Sequence, residues 1–217
     1  MPRENPVFIT AAVEGNVDEA IARRLIEHVG GTPGPVYGRN GKHHLRQRIA
    51  NYNQAARLSP WVVLVDLDHD AECAPPFRRA WLPALSSHMC FRVAVRQVEA
   101  WLLADRERVA KFLSVSMVRI PHNPESVEHP KHLLVDLARS SRRRDIREDI
   151  VPRPGSGRSV GPAYTARLIE FVISRHTGWR PEVAARFSDS LNRSLRCLRR
   201  LKTSRRSRGG RLPDGTF

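Results

Sequence analysis

Residues Trp61-Val62-Val63-Leu64-Val65-Asp66-Leu67-Asp68 combine a continuously apolar run with two aspartates at its end. The run is rich in β-branched side chains and lacks polar alternation, which is typical of a parallel strand that is covered on both faces. We therefore predict a buried strand over residues 61–65, with an acidic cluster where the strand ends.

The start of the chain repeats this arrangement. Residues 7–13 are apolar, and Glu14-Gly15-Asn16-Val17-Asp18-Glu19 follows them. Hydrophobic spacing and turn residues predict two more strands over residues 35–38 and 90–95, and helices over residues 17–29, 42–57, 76–85 and 98–104. This alternation predicts an α/β domain over residues 1–115, with a mostly parallel sheet flanked by helices.

The rest of the chain is richer in loops and helices. Helical spacing predicts a helix over residues 131–139 and two or three helices over residues 162–175 and 181–201. Pro152-Arg153-Pro154-Gly155-Ser156-Gly157 is a loop or hinge by composition. We predict a C-terminal helical extension over residues 116–203 and a basic flexible tail over residues 204–217.

Charge and composition limit the class of protein. The 217-residue chain has a net charge of +15 and a sequence pI near 11.2, which favours a polyanionic partner, and nucleic acid over an anionic membrane. No run approaches the roughly 18 apolar residues of a membrane helix, and residues 1–5 lack the apolar stretch of a secretory signal, so we expect a cytoplasmic protein with no membrane partner. Cys73, Cys90 and Cys197 are odd in number and far apart, which favours free thiols.

Five carboxylates occupy the predicted strand ends. Right-handed crossovers make the strands parallel, so their C-terminal ends meet at the edge of the sheet where α/β proteins usually bind ligands. Each of these residues lies at a strand end or in the first turn of a helix: Glu14, Asp18, Asp66, Asp68 and Glu99. In extended backbone Asp66 and Asp68 face the same way. Taken singly, Asp18 could simply stabilise a helix N-terminus, and Glu99 could be a surface residue.

Oxygen ligands of this kind select Mg²⁺ or Mn²⁺ rather than zinc. Two such ions would activate water and stabilise the leaving oxygen in phosphodiester cleavage. The acidic residues therefore predict a metal-dependent site for phosphate chemistry.

Two motifs stand in order along the chain: Val13-Glu14-Gly15-x-x-Asp18-Glu19 and Val62-Val63-Leu64-Val65-Asp66-x-Asp68. Together they resemble the Toprim domain shared by topoisomerases, primases and the overcoming-lysogenization-defect nucleases. A further stretch is similar to a group of small bacterial Toprim-like proteins: Phe91-Arg92-Val93-Ala94-Val95-Arg96-x-x-Glu99-Ala100-Trp101-Leu102-Leu103-Ala104-Asp105. The resemblance covers most of the chain, since it continues in Pro130-Lys131-His132-Leu133-Leu134 and in Ser188-Asp189-Ser190-Leu191-x-x-Ser194-Leu195.

The resemblance implies a Toprim-like fold with a Mg²⁺-dependent phosphoryl-transfer site. Glu14 would hold metal and take part in proton transfer. Asp66 and Asp68 would also be metal ligands. Asp18 and Glu99 would complete a second metal position.

Nuclease members of the family also use a lysine near the scissile phosphate. Lys131 is the candidate here, and Lys111 is the alternative. The chain lacks the ATPase domain that is joined to many relatives, so any ATP-dependent control would come from an ATPase partner protein. We thus predict a metal-dependent nuclease that cleaves DNA or RNA by a two-metal mechanism, and the resemblance suggests a role in bacterial phage defence.

Basic residues indicate where nucleic acid would bind. Residues 193–211 contain nine basic and no acidic side chains, which suits contact with phosphates. A leucine stripe beneath them also fits an ordinary amphipathic helix with a solvated face. The candidate contacts are Arg92, Arg96, Arg193, Arg205, Arg206 and Arg208. For Arg92 and Arg96, the alternative is that their side chains pair with the acidic cluster.

The spacing of the histidines does not predict a zinc site. They lack both cysteine support and a helical His-x-x-x-His pair, so surface histidines with ordinary hydrogen bonds are the simpler interpretation. The residues concerned are His43, His44, His122, His129 and His132.

Two other functions stay open. Asp66-Leu67-Asp68 could begin a haloacid-dehalogenase phosphatase motif, in which the first aspartate attacks phosphate. That motif ordinarily has Thr or Val two residues after the second aspartate, where this chain has Asp70. The other function is a non-catalytic nucleic-acid-binding or regulatory subunit on a Toprim scaffold, which the basic tail supports equally well.

Overall fold

The computed structural model describes residues 6–204 of the chain. Its strands are β1 (Phe8–Val13), β2 (Thr32–Gly38), β3 (Trp61–Asp66) and β4 (Met89–Ala94). They form one parallel sheet in the order β2-β1-β3-β4. The predicted α/β class, with a parallel sheet flanked by helices and a C-terminal helix, is confirmed.

Helices connect the strands and follow the last one. Those between strands are α1 (Asn16–His28), α2 (Gly41–Ala55) and α3 (Ala74–Trp81). Those after β4 are α4 (Val98–Leu103), α5 (Arg106–Leu113), α6 (Pro130–Arg139), α7 (Arg144–Ile150), α8 (Tyr164–Ile173), α9 (Pro181–Ala184) and α10 (Asp189–Ser204). Within residues 6–204, no helix combines the length and the apolar character needed to cross a bilayer.

Side-chain caps mark where two of the later helices begin. The hydrophobic pattern does not predict α5, which begins after Asp105 because that carboxylate accepts a hydrogen bond from the backbone N–H of Arg108. Helical spacing over residues 162–175 and 181–201 predicted two or three helices, and the structure has three there, since α9 ends at Ala184 and α10 begins separately at Asp189. Ser188 Oγ accepts the backbone N–H of Leu191 (3.2 Å) and so caps the new helix.

The sheet is covered on both faces. Val63 and Val65 pack in a core with side chains of α2 and α3. Val62 and Leu64 point to the opposite core, which includes side chains from α1 and from α4 to α10. Alternate residues of β3 therefore enter different cores, which is why the whole strand is apolar.

Helices from both sides of residue 115, the predicted domain boundary, share the larger core. That boundary stays a prediction. The predicted tail, residues 204–217, lies outside the described residues except for Ser204, the last residue of α10.

Buried indole groups fix the position of α4. Trp101 is fully buried, and its Nε1 donates a hydrogen bond to Ser190 Oγ (2.7 Å) at the start of α10. The Trp101 carbonyl accepts a hydrogen bond from Trp179 Nε1 (2.9 Å). These bonds hold the short helix that carries Glu99.

The prediction of three free thiols is wrong for two of them. Cys90 and Cys197 form a disulfide across 107 residues of sequence. Because α10 packs on β4, the two side chains meet although they are far apart in the chain. Cys73 is an exposed free cysteine.

Candidate metal centre

Three chain segments meet at the C-terminal edge of the sheet. Glu14 directly follows β1, and Asp66 is the last residue of β3. Glu14 Oε1 accepts a hydrogen bond from the backbone N–H of Asp66 (2.8 Å). Asp66 Oδ1 accepts one from the backbone N–H of Val98 (3.0 Å), the first residue of α4. These two bonds connect the ends of β1 and β3 to the start of α4.

Asp18 and Glu99 reach this edge from two helices. Each lies in the first turn of its helix, and their exposed fractions are only 8% and 2%. Glu99 Oε1 accepts a hydrogen bond from the hydroxyl of Tyr164 (3.0 Å). Asp18 Oδ1 and Glu99 Oε2 are buried and have no hydrogen-bond partner among the described residues. Because a buried carboxylate oxygen without a partner is unfavourable, both atoms favour an additional ligand such as a cation.

Burial and neighbouring negative charges raise the pKa of three of these carboxylates, Glu14, Asp18 and Asp66. Burial raises the pKa of Glu14 to about 7, although a hydrogen bond from the Asp66 N–H and the charge of Lys42 oppose the shift. Burial and the charges of Glu14 and Glu99 raise the pKa of Asp18 to about 7. Burial, Asp18 and Glu99 raise the pKa of Asp66 well above its ordinary value. Charges affect one another in this way only at short range, so these four side chains form one cluster.

Asp68 lies at the same edge but is held differently. We predicted that Asp66 and Asp68 face the same way because the backbone between them would be extended. The φ of Asp68 is +47°, so the backbone is not extended there. Asp68 Oδ2 accepts a hydrogen bond from Lys42 Nζ, and Oδ1 accepts one from Gln97 Nε2 (2.9 Å). Burial raises the pKa of Asp68, but these hydrogen bonds lower it by more, so the pKa falls below its ordinary value. Protein groups therefore already neutralise Asp68.

The two candidate lysines have different surroundings. Lys131 Nζ lies 3.6 Å from Glu99 Oε1, and 38% of its side chain is exposed. The charge of Glu99 raises the pKa of Lys131 against the effect of burial, so the side chain stays an ammonium. Lys111 instead pairs with Glu107 (2.7 Å) on the exposed surface of α5. The structure therefore brings Lys131 to the cluster and leaves Lys111 engaged elsewhere.

Sequence reasoning missed three residues of this site, namely Lys42, Gln97 and Tyr164. The sequence did contain a signal for Lys42. It is the second residue of α2, which follows β2, so the rule that strand ends share one edge also applies to it. Tyr164 is 65 residues from Glu99, and no local pattern connects them.

The cluster fits a hard divalent cation by its donor atoms. Its candidate ligands are carboxylate oxygens, which Mg²⁺ and Mn²⁺ prefer, and two of those oxygens lack a partner in the described part of the chain. Within residues 6–204, His69, Glu128 and His129 offer three potential ligand atoms that all lie within 4.8 Å of one another. No three of the five predicted carboxylates bring their oxygens this close together. Coordination of one ion by three of these carboxylates therefore requires their side chains to move closer together.

Comparisons with known proteins were made by family, by sequence and by structure. No family model, curated protein or solved structure matches this chain. The Toprim resemblance thus stays a prediction that depends on the motifs around Glu14 and Asp66.

The predicted nucleic-acid contacts lie in separate places. Arg92 and Arg193 line a cavity of about 350 Å³ between β4, α3 and the start of α10. Burial and the charge of Arg193 lower the pKa of Arg92 to about 10, and Arg92 Nε has no hydrogen-bond partner within residues 6–204. Arg96 Nη1 instead donates to the backbone oxygen of Asp68 (3.2 Å). Three candidates lie outside the described residues: Arg205, Arg206 and Arg208.

Proposed function

We propose that this protein is a two-metal nuclease, which hydrolyses phosphodiester bonds of DNA or RNA with Mg²⁺ or Mn²⁺ at the sheet edge. The observation that supports this best is the carboxylate cluster, in which Asp18 and Glu99 are buried and Glu14 and Asp66 are half-buried. A divalent cation would offset their repulsion and satisfy the unpartnered oxygens. The net charge of +15 favours a polyanionic substrate.

Each group of the cluster has a role that follows from its surroundings. The four carboxylates would hold the metal, which when bound acts as a Lewis acid on phosphate oxygens and lowers the pKa of water. Glu14 can take up and release a proton at Oε2, because its Oε1 already accepts the Asp66 N–H. Lys131 keeps its positive charge and can contact a phosphate oxygen through Nζ.

Non-catalytic nucleic-acid binding is a second candidate. The observation that favours it is the cavity whose lining includes Arg78, Arg92 and Arg193. Glu125 and Asp189 also line it, and Asp189 pairs with Arg193 (2.7 Å), so Arg78 and Arg92 are the groups that would attract phosphate without a metal. Membership of the Toprim-like family, an ATPase partner and a role in phage defence are proposals that rest on the resemblance. A cytoplasmic location is a proposal that rests on composition.

The direct test is cleavage of single- and double-stranded DNA and RNA by the purified protein. We expect cleavage that requires Mg²⁺ or Mn²⁺ and stops when a chelator is added. We also expect binding that weakens as salt rises, because Lys and Arg release counterions from phosphates. If the protein neither binds these metals nor cleaves any of the four substrates, with its natural partner also present, the proposal is wrong. Binding that is independent of metal, without cleavage, would favour the second candidate.

We expect Mg²⁺ to raise the melting temperature more at about pH 8 than at about pH 5.5. The pKa values of Glu14 and Asp18 rise from 4.5 and 3.8 to about 7 in the folded protein. The stability that these groups contribute is full below their ordinary pKa and is lost as the pH rises to about 7, because burial and repulsion from neighbouring carboxylates disfavour their charged forms. At the higher pH a cation relieves this repulsion, whereas at the lower pH it must first displace protons.

Thermal unfolding with Mg²⁺ and with a chelator measures this difference. Asp136→Asn is a suitable control, because Asp136 is exposed on α6 and pairs only with nearby Arg139 (3.3 Å) among the ion pairs of the described residues. This variant should show the wild-type shift, and Asp66→Asn should show a much smaller one. An equal Mg²⁺ shift at both pH values would contradict binding at the carboxylate cluster.

A further inference from the structure

A second group of side chains with metal-ligand atoms lies beside the carboxylate cluster, and two of its three members offer nitrogen donors. His69, Glu128 and His129 offer three ligand atoms that all lie within 4.8 Å of one another. His69 follows Asp68 in the loop after β3, whereas Glu128 and His129 directly precede α6. All three side chains are exposed, so an ion can reach them from solvent.

The ring nitrogens have the separation of ligands to one ion. His69 Nε2 and His129 Nδ1 are 3.4 Å apart. A tetrahedral ion with Zn–N bonds of about 2.0–2.1 Å places two ligand nitrogens about 3.3–3.4 Å apart. A hydrogen bond between the rings permits the same distance, but it does not explain why the Glu128 carboxylate comes to the same point. A third imidazole is also close, since the ring centroids of His129 and His132 are 5.2 Å apart.

Backbone hydrogen bonds hold both ligand segments. The N–H of Asp70 donates to the carbonyl of Leu67 (3.2 Å), which closes a turn around His69. The carbonyl of His129 accepts the N–H of Leu133 (3.0 Å) as the first bond of α6. The two histidines therefore project from segments whose backbone is already ordered, which reduces the entropy lost when an ion binds.

We propose that His69, Glu128 and His129 bind a Zn²⁺ ion, with His132 or water as the fourth ligand. Imidazole favours Zn²⁺ over Mg²⁺, so this site and the carboxylate cluster select different metals. The ion would join the loop after β3 to the start of α6, which carries Lys131. It is thus a structural ion that fixes the position of Lys131 beside the carboxylates. Spacing along the chain does not reveal the site, because 60 residues separate the two ligand segments.

The test is Zn²⁺ binding to the full chain, purified without a histidine tag and measured with excess Mg²⁺ present. We expect calorimetry to show one Zn²⁺ per chain. His69→Ala and His129→Ala should each weaken binding by roughly 100-fold, because each removes a ligand. His43→Ala is the matched control, since His43 is an exposed histidine on α2 that contacts Gln47 instead. It should bind Zn²⁺ as tightly as the wild type.

Cobalt provides a second measurement. Co²⁺ at the site should give visible absorption bands that the two histidine variants lose and that His43→Ala and Asp66→Asn retain. The proposal is wrong if the wild type binds no Zn²⁺ beside Mg²⁺, or if both histidine variants bind it with unchanged affinity. It is also wrong if Asp66→Asn alone abolishes binding, which would place the ion at the carboxylates. Since the measurement is binding and not cleavage, failure here and failure of the nuclease function are distinguishable.

Discussion

Asp66→Asn is expected to reduce metal-dependent cleavage by about 10³-fold or more. Asp66 lies among the other carboxylates, since burial and the charges of Asp18 and Glu99 raise its pKa well above the ordinary value. The amide keeps the size of the side chain and the oxygen that accepts the Val98 N–H. It removes the negative charge on which cation binding depends. Single-turnover rates at saturating Mg²⁺ measure the loss.

The melting temperature shows whether Asp66→Asn still folds. Asparagine cannot carry the negative charge that burial and the neighbouring carboxylates disfavour at this position, so the metal-free variant should melt no lower than the wild type. Asp136→Asn, the same chemical change on the exposed face of α6, should keep the wild-type rate. If Asp66→Asn cleaves within roughly tenfold of the wild-type rate, the cluster is not the catalytic centre, and nucleic-acid binding becomes the better function.

The sequence was sufficient for features that depend on local pattern and on strand topology. The apolar runs of β1 and β3 predicted buried parallel strands, because every second residue enters a different core. The crossover rule then placed Glu14 and Asp66 at one edge, where the Asp66 N–H indeed reaches Glu14 Oε1. The same rule would have found Lys42 if it had been applied to the end of β2.

Contacts between distant segments could not be predicted in this way. Three of these contacts depend on how later helices pack on the sheet. They join Tyr164 to Glu99, His69 to His129, and Cys90 to Cys197. No periodicity in the sequence encodes that packing. The left-handed backbone at Asp68 was also hidden, because an aspartate after a strand is compatible with several loop conformations.

Lys131→Ala is expected to lower the maximal cleavage rate by about 10²- to 10³-fold, the range seen when a single charge-stabilising group is removed from an active site. Lys131 Nζ lies 3.6 Å from Glu99 Oε1 and is part-exposed, so it faces both the cluster and solvent. The acidic neighbours raise its pKa, which keeps the ammonium charged throughout the neutral range. A positive group at this position can bind a phosphate oxygen as negative charge develops there. Measuring kcat and KM separately shows whether it acts in the transition state or only in binding.

Lys111→Ala is the matched control, because Lys111 pairs with Glu107 across one turn of α5 and both side chains are at least half exposed. Exposed pairs of this kind contribute little to stability, so the variant should fold and cleave as the wild type does. Equal losses in the two variants would show that the rate follows overall charge rather than the position of Lys131. A rise in KM with unchanged kcat in Lys131→Ala would assign Lys131 to substrate binding. Lys131→Arg keeps the charge but replaces the compact ammonium with a planar fork, so a partial recovery of rate would separate charge from geometry at this position.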